Sequence, residues 1–412
     1  MSVSAPHPVD VVIFGGGAAG LWLLDVLRRG GRSVILIEAN GLGAGQTIGC
    51  QGIIHGGLKY TLRGIFTPSA KAIREMPPLW ARCLAGERQP DLSAARLRQG
   101  FCHLWRTGSI TSRLGMIGAR AGLRVRPSRV DHADLPAVLA SAQDVFRVDE
   151  QVIDPASFLD ALYQPHRDCV LKVGGQKAVD FSLHGSGRVD SLCLHDRDTG
   201  DQLALRPGHV VLTAGRGNRE LRRAVGLPAE TMQVRPLHLV LARGKLPVLN
   251  GHCVDGAKTR VTVTTAEPLP TVDEAADPSE DTIWQIGGQV SEDGVAMEPA
   301  ELIEHAQREL LACLPGLDVR DVEWATYRVD RAEPAMPGGL RPESAFAQLE
   351  GNTITAWPTK LALAPLLAQQ IVELLGEQRA EPQPEDHTLD NWPRPTVAAA
   401  PWQEAQQWIR SR

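Results

Sequence analysis

The sequence has no excess of basic residues: 43 lysines and arginines are outnumbered by 48 aspartates and glutamates, giving a net charge of −5. That balance offers no electrostatic footprint for a polyanion and excludes nucleic acid as a partner. Cysteine pairing signals are also missing. The seven cysteines (Cys50, Cys83, Cys102, Cys169, Cys193, Cys253, Cys313) are odd in number and scattered, with no C-x-x-C and no zinc-like spacing. Reduced thiols and no metal are therefore expected. No run reaches the ~18 apolar residues of a membrane span, since LALAPLLAQQIVELL is interrupted by Pro365 and two glutamines. The N-terminus lacks the charged-then-apolar pattern of a secretory leader, and we see no internal repeat or low-complexity tract. A cytoplasmic protein is expected, with at most peripheral contact at the inner face of the membrane.

What is present is an ordinary globular composition, 43% apolar and 22% charged over 412 residues, a length that suggests two or three structural units. VDVVIF (9–14) reads as a buried parallel strand and runs directly into GGGAAG. LWLLDVLRR follows with apolar residues at helical spacing and stops at Gly30 and Gly31, and SVILIEA supplies a second strand that ends in Glu38 and Ala39. The order strand, G-x-G-x-x-G (Gly15, Gly17, Gly20), helix, strand, acid, with Glu38 roughly 20 residues past the glycines, is the dinucleotide-binding fingerprint. Gly15 permits the tight turn, Gly17 lets backbone approach a pyrophosphate, and Gly20 lets helix pack on strand. Ala18 and Ala19 open the helix whose N-terminus would face the phosphates, and Glu38 is suited to accept hydrogen bonds from a ribose.

A second glycine-rich segment, residues 41–57, follows the second strand at once, where a nicotinamide dehydrogenase would continue alternating strands and helices. This placement resembles the D-amino-acid oxidase-like (DAO) superfamily of FAD-dependent oxidoreductases. QTIGCQGIIHGGLKY is similar to the matching stretch of the FAD-dependent glycerol-3-phosphate dehydrogenases and L-2-hydroxyglutarate dehydrogenases. Further landmarks fall in the same order: VIDPASFLDAL (152–162), with Asp154 as N-cap and Pro155 at the first helical position; HVVLTAGRGN (209–218); TYRVDRAEPAMPGG (326–339); and NTITAWPTKLALAPLLAQQIVELL (352–375). The closing loop is WPTK where the superfamily is usually glycine-rich, and the large C-terminal helical domain common in the glycerol-3-phosphate enzymes is absent.

The resemblance implies FAD as cofactor. It places Gln46 and Thr47 at the pyrophosphate, Gln51 and Gly52 at the isoalloxazine, Ala214 and Gly215 at a second contact, and Thr359, Lys360 and Leu361 beside the flavin. Glycine suits such a ribbon because a flat ring can lie against backbone without Cβ atoms. The candidate catalytic residues are His55, Lys59, Tyr60, His238, Arg328 and Lys360. His55 or His238 would serve as base. Lys59 and Tyr60 stand where the glycerol-3-phosphate enzymes have an Arg-Tyr pair, and lysine keeps the charge but loses the bidentate fork. Arg328 and Arg331 are candidates to clamp a carboxylate or phosphate, or else to pair with Asp330 or Glu333.

The expected fold is α/β: a discontinuous Rossmann-like FAD-binding domain (1–90, 145–235 and 325–380) with an antiparallel-sheet α+β substrate domain (91–144 and 236–324), of the DAO and glutathione-reductase type. An acidic, proline-bearing loop is expected at 266–281, and a tail (381–412) with Trp392, Trp402 and Trp408 is expected to dock on the body. The expected activity is hydride transfer from the CH–OH carbon of a small anionic substrate, a 2-hydroxy acid or a glycerol-3-phosphate-like molecule, to the flavin. An amine or amino-acid oxidase and a non-catalytic FAD-binding partner module are the alternatives. The electron acceptor, whether quinone, oxygen or a carrier protein, is not written in these residues.

Overall fold

The computed structural model describes residues 6–56, 73–107, 128–131, 133, 135–196, 198–255, 258–267, 279–377 and 389–410. Lys59, Tyr60 and most of the acidic loop lie outside them.

Strand β1 (His7–Phe14), helix α1 (Ala18–Arg29) and strand β2 (Val34–Glu38) form where the sequence places them. β1 is the middle of a parallel array in the order Thr353–Trp357, Gln202–Leu212, β1, β2, Val170–Lys172, inside an eight-stranded sheet. The strands are nearly continuous in Val, Ile and Leu because both faces are covered. Successive residues point to opposite faces: Val11 and Ile13 join α1 and helix Ala364–Leu375, while Val12 and Phe14 join the antiparallel strand Val189–His195 and the helix Asn218–Ala224. Helix Pro155–Tyr163 begins as expected, with the Asp154 carboxylate accepting from the Ser157 N–H.

The second sheet has nine strands and is largely antiparallel. Its longest pair, Met232–Leu246 and Glu323–Pro334, runs in unbroken register from Met232 opposite Pro334 to Arg243 opposite Glu323. Here the domain boundaries need correction. Residues 145–148 and 325–334, expected in the FAD-binding domain, hydrogen-bond into the nine-stranded sheet, in strands Gln143–Val148 and Glu323–Pro334. The partners of these strands lie from 17 residues away, Arg129 opposite Phe146, to 102, Met232 opposite Pro334, and no local pattern announces such pairing.

One face of the nine-stranded sheet is apolar. Val240, Ala242, Val261, Val263, Trp284 and Ile286 pack against Leu302, Ile303, Ala306 and Leu310 of helix Pro299–Cys313. The opposite face mixes Thr262, Thr264, Gln285 and Tyr327 with apolar side chains such as Leu239 and Val329 and is turned toward residues 45–56.

The tail docks on both halves. Trp392 is buried and donates from Nε1 to the Lys172 carbonyl, Leu42 and Val397 form a parallel bridge, and Ile409–Arg410 pairs with Glu323 and Trp324. Among the described residues no helix is long and apolar enough to cross a membrane.

Candidate active site

At the first turn, an added Cβ would stand 2.5 Å from Ala214 Cα at Gly15 and 1.9 Å from the Gly15 carbonyl oxygen at Gly20. Only glycine fits either place. Helix α1 opens at Gly17 with no N-cap side chain, and the Ala18 N–H donates to Thr47 Oγ1 at 3.2 Å. Glu38 Oε2 accepts from the Gly16 N–H at 2.6 Å and Oε1 from the Asn40 N–H at 2.8 Å, with Ala39 packed beside them. Across the parallel sheet, the Ala214 N–H is held by Asn218 Oδ1 and the Gly215 carbonyl by Trp357 Nε1. Thr359 is held at φ +61 by its hydroxyl's bond to the Ser344 carbonyl, and the Lys360 carbonyl starts the turn Leu361–Leu363.

Residues 51–56 run along residues 150–153. The Ile54 N–H donates to the Gln151 carbonyl, and the Ile153 N–H to the Gly52 carbonyl. The approach is so close that a Cβ on Gly52, whose φ is +73, would lie 2.1 Å from the Ile153 oxygen. This contact carries His55 to Glu150. The Glu150 carboxylate is 1% exposed; Oε1 accepts from the Gly56 N–H at 2.7 Å, and Oε2 lies 3.3 Å from His55 Nδ1 and 3.5 Å from His252 Nε2. His252 comes from strand Gly251–Asp255, and its Nδ1 meets Thr262 Oγ1 at 2.9 Å. The three ligand-type atoms all fall within 4.8 Å of one another. Burial opposes ionisation of Glu150, but the close approach of His252 and His55 and the attraction of their rings outweigh it, holding the carboxyl well below its usual range.

Next to this group the ribbon is tied to the mixed face of the second sheet. Gln51 Nε2 donates to the Gln285 carbonyl at 2.9 Å, Gln285 Nε2 to the Tyr327 hydroxyl at 2.9 Å, and that hydroxyl to the Gly49 carbonyl at 3.0 Å. Burial pushes the Tyr327 phenol above its ordinary range and the Cys50 thiol up to about 11. Gln46 Oε1 also crosses to the second sheet, accepting from the Ala332 N–H at 3.2 Å.

A family model described as FAD dependent oxidoreductase (DAO) matches residues 10–345. The chain belongs to the DAO family. A probable FAD-dependent oxidoreductase of Pseudomonas aeruginosa is 38% identical to this DAO-family chain over 402 residues, 96% of this chain and 98% of the relative. The crystal structure of an FAD-dependent oxidoreductase from that organism superposes with a TM-score of 0.77 at 34% identity, covering 98% and 99% of the two chains. More distant structures share the fold: glycine oxidase from Geobacillus kaustophilus (TM-score 0.62, 16% identity, 91% of this chain and 97% of that one) and L-α-glycerophosphate oxidase from Mycoplasma pneumoniae with FAD bound (0.60, 12%, 96% and 97%).

The protein is thus an FAD-dependent oxidoreductase, and its residues fit that cofactor. The glycine-only turn, the helix start uncapped by its own N-cap residue, and the Glu38 carboxylate at the end of β2 form the set that holds an adenine dinucleotide. Beside Gly45 and Gly215 an added Cβ would meet nothing within 4 Å, so bare main chain borders open space there.

The structure does not bring all the candidate residues together. His238 lies on the apolar-facing side of its strand, in step with Val240 and Ala242. It is buried between the Gly294 carbonyl at 3.1 Å and Thr326 Oγ1 at 3.0 Å, and burial, followed by the Arg328 charge, lowers its pKa. Arg328, its register partner, donates to the carbonyls of Val295 and Met297. Tyr327 and Val329 are the neighbours that face Gly49. Arg331 is largely buried near Arg235 and Arg341, and burial and then those charges lower its pKa to about 10. The acids named as possible partners are taken by other arginines, Asp330 by Arg216 at 2.7 Å and Glu333 by Arg235. Sequence reasoning missed Glu150 and His252, which stand 95 and 197 residues beyond His55 with no spacing signal.

Proposed function

We propose that this enzyme oxidises the CH–OH carbon of a small anionic substrate, a 2-hydroxy acid or a glycerol-3-phosphate-like molecule. A glycine oxidase and a glycerophosphate oxidase share the fold, so the choice rests on side chains. One observation carries it: His55 lies 3.3 Å from a fully buried, ionised Glu150, just past the Gly52 ribbon. A carboxylate behind an imidazole fixes its orientation and stabilises the charge it gains on taking a proton. A hydroxyl must lose its proton as its carbon gives up hydride, and so needs such a base; an amine can be oxidised as the free base and does not. Bound FAD supplies the hydride acceptor. In this reading Lys59 and Tyr60, shortly after His55, grip the substrate's anionic end and align its C–H bond.

The test is anaerobic titration of the purified flavoprotein with 2-hydroxy acids, glycerol 3-phosphate and amino acids, following the visible flavin band. Bleaching by a hydroxy compound, slowed about a hundredfold or more in His55→Ala, is the expected result. Bleaching by amino acids alone would replace this reading with amine oxidation, and bleaching by none with a binding role.

A further inference from the structure

We infer that His252 is a positioning residue: acting through the carboxylate that it shares with His55, it sets how tightly His55 holds a proton and therefore the pH range in which the enzyme works. The inference rests on the reading of His55 as the base. Three separate parts of the chain meet here: the ribbon 51–56, the turn after strand Gln143–Val148, and strand Gly251–Asp255. Their burial differs sharply. The side chain of His55 is 45% exposed, that of His252 only 4%. The second nitrogen of His252 is committed to Thr262 Oγ1 at 2.9 Å. His252 therefore has no face to offer a substrate, and it acts on His55 through the shared Glu150 and across the 5.6 Å between the two ring centroids.

Both rings approach the same oxygen, Oε2, at 3.3 and 3.5 Å, while Oε1 is held by the Gly56 N–H. An ionised carboxylate only accepts, so the two imidazoles share one negative charge. Among the described residues no lysine or arginine pairs with it. Another titratable group that feels it is the Cys102 thiol, pushed up by burial and then by the Glu150 charge. The His103 ring, on the strand beside His252, stacks edge-on against Phe101 and is held low by burial and by Arg147. When His252 is removed, the charge of Glu150 acts on His55 alone and binds its proton more tightly. The sign is the same whether His252 is neutral or cationic, because a neutral donor disperses the carboxylate's charge and a cation repels a second one.

The experiment compares wild type, His252→Phe and His252→Gln as FAD-loaded enzymes. Glutamine keeps an N–H donor near the place of Nε2, and phenylalanine does not. The rate of anaerobic flavin reduction is followed from about pH 5 to about pH 9. In His252→Phe the acid limb should move to higher pH by about one unit, and in His252→Gln it should return toward wild type. A second measurement needs no substrate: nitrogen NMR of labelled histidine rings against pH, where the proton uptake of His55 should shift the same way. His252→Asn, whose amide is too short to reach Glu150, replaces His252→Phe if the latter does not fold.

An equal loss of rate in both variants with an unmoved limb and unmoved His55 signals would overturn the inference, making His252 merely structural. So would stoichiometric zinc in the purified protein that is lost in His252→Phe, because the three groups would then be metal ligands. If the His55 signals shift as expected but no hydroxy compound bleaches the flavin, the coupling of His252 to His55 stands and the proposed reaction falls.

Discussion

The two sheets of this molecule prepare opposite kinds of surface. In the eight-stranded sheet both faces are apolar, and what it offers a ligand is main chain: a turn of glycines, the start of α1, and one carboxylate at a strand end. In the nine-stranded sheet one face is largely apolar, and the other carries Thr262, Thr264, Gln285 and Tyr327, buried or nearly so and linked by hydrogen bonds to the ribbon at Gly49, Cys50 and Gln51, with His252 beside Thr262. A ligand held by backbone is recognised by shape and dipole, and the same geometry serves any member of the family. A ligand that meets side chains is recognised by chemistry that can change from one relative to the next.

If the difference is real, damage to the two regions should have different signatures. The largest effect is expected for Gly20→Val. Its Cβ would sit 1.9 Å from the Gly15 oxygen, and the loss should exceed about 4 kcal/mol, read as a colourless, poorly folded protein. A yellow, stable variant would break the comparison. Glu150→Ala should cost about 3 kcal/mol, because it leaves the Gly56 N–H and His55 without their acceptor and the buried His252 ring without the carboxylate beside it, yet whatever folds should keep its FAD, a split visible by combining denaturant melts with the visible spectrum.

The same residue predicts a pH dependence. The Glu150 carboxyl titrates below its ordinary value of 4.5 in the fold, so its contribution to stability is full above that value and is lost as pH falls below it. Melting midpoints of Glu150→Gln should therefore fall less on acidification than those of wild type. The smallest effect is expected for Tyr327→Phe, which leaves the Gly49 carbonyl and Gln285 Nε2 short of a partner, about 2 kcal/mol in denaturant melts with FAD retained.

The parts of the site that lie within one short stretch were legible before any coordinates. Gly15, Gly17, Gly20 and Glu38 belong to a single strand-turn-helix-strand unit, and Asp154 with Pro155 announces a helix by local chemistry alone. His55 was recognisable because it follows the glycines. Its partners were not, since Glu150 arrives through the close approach of Gly52 to Ile153 and His252 through a strand pairing across the second sheet. His238 and Arg328 show the reverse problem. His238 sits on a strand of the expected sheet and Arg328 on the strand paired with it, which was expected in the FAD-binding domain; a strand's two faces differ only by one residue of register, and the largely apolar face here takes in both side chains through the carbonyls of Gly294, Val295 and Met297. Nothing in VRPLHLVLARG says which of them turns toward the ribbon.

The two-residue strand Ile409–Arg410 lies along Glu323 and Trp324, the outermost partner in the nine-stranded sheet. Bare margins of β-structure invite other polypeptides to zip onto them, and here the chain furnishes its own stopper. A version trimmed before this point would uncover the first two residues of that strand, Glu323 and Trp324, and should associate more readily as it is concentrated, a change that light scattering would detect. Any affinity handle is therefore better joined to the opposite terminus.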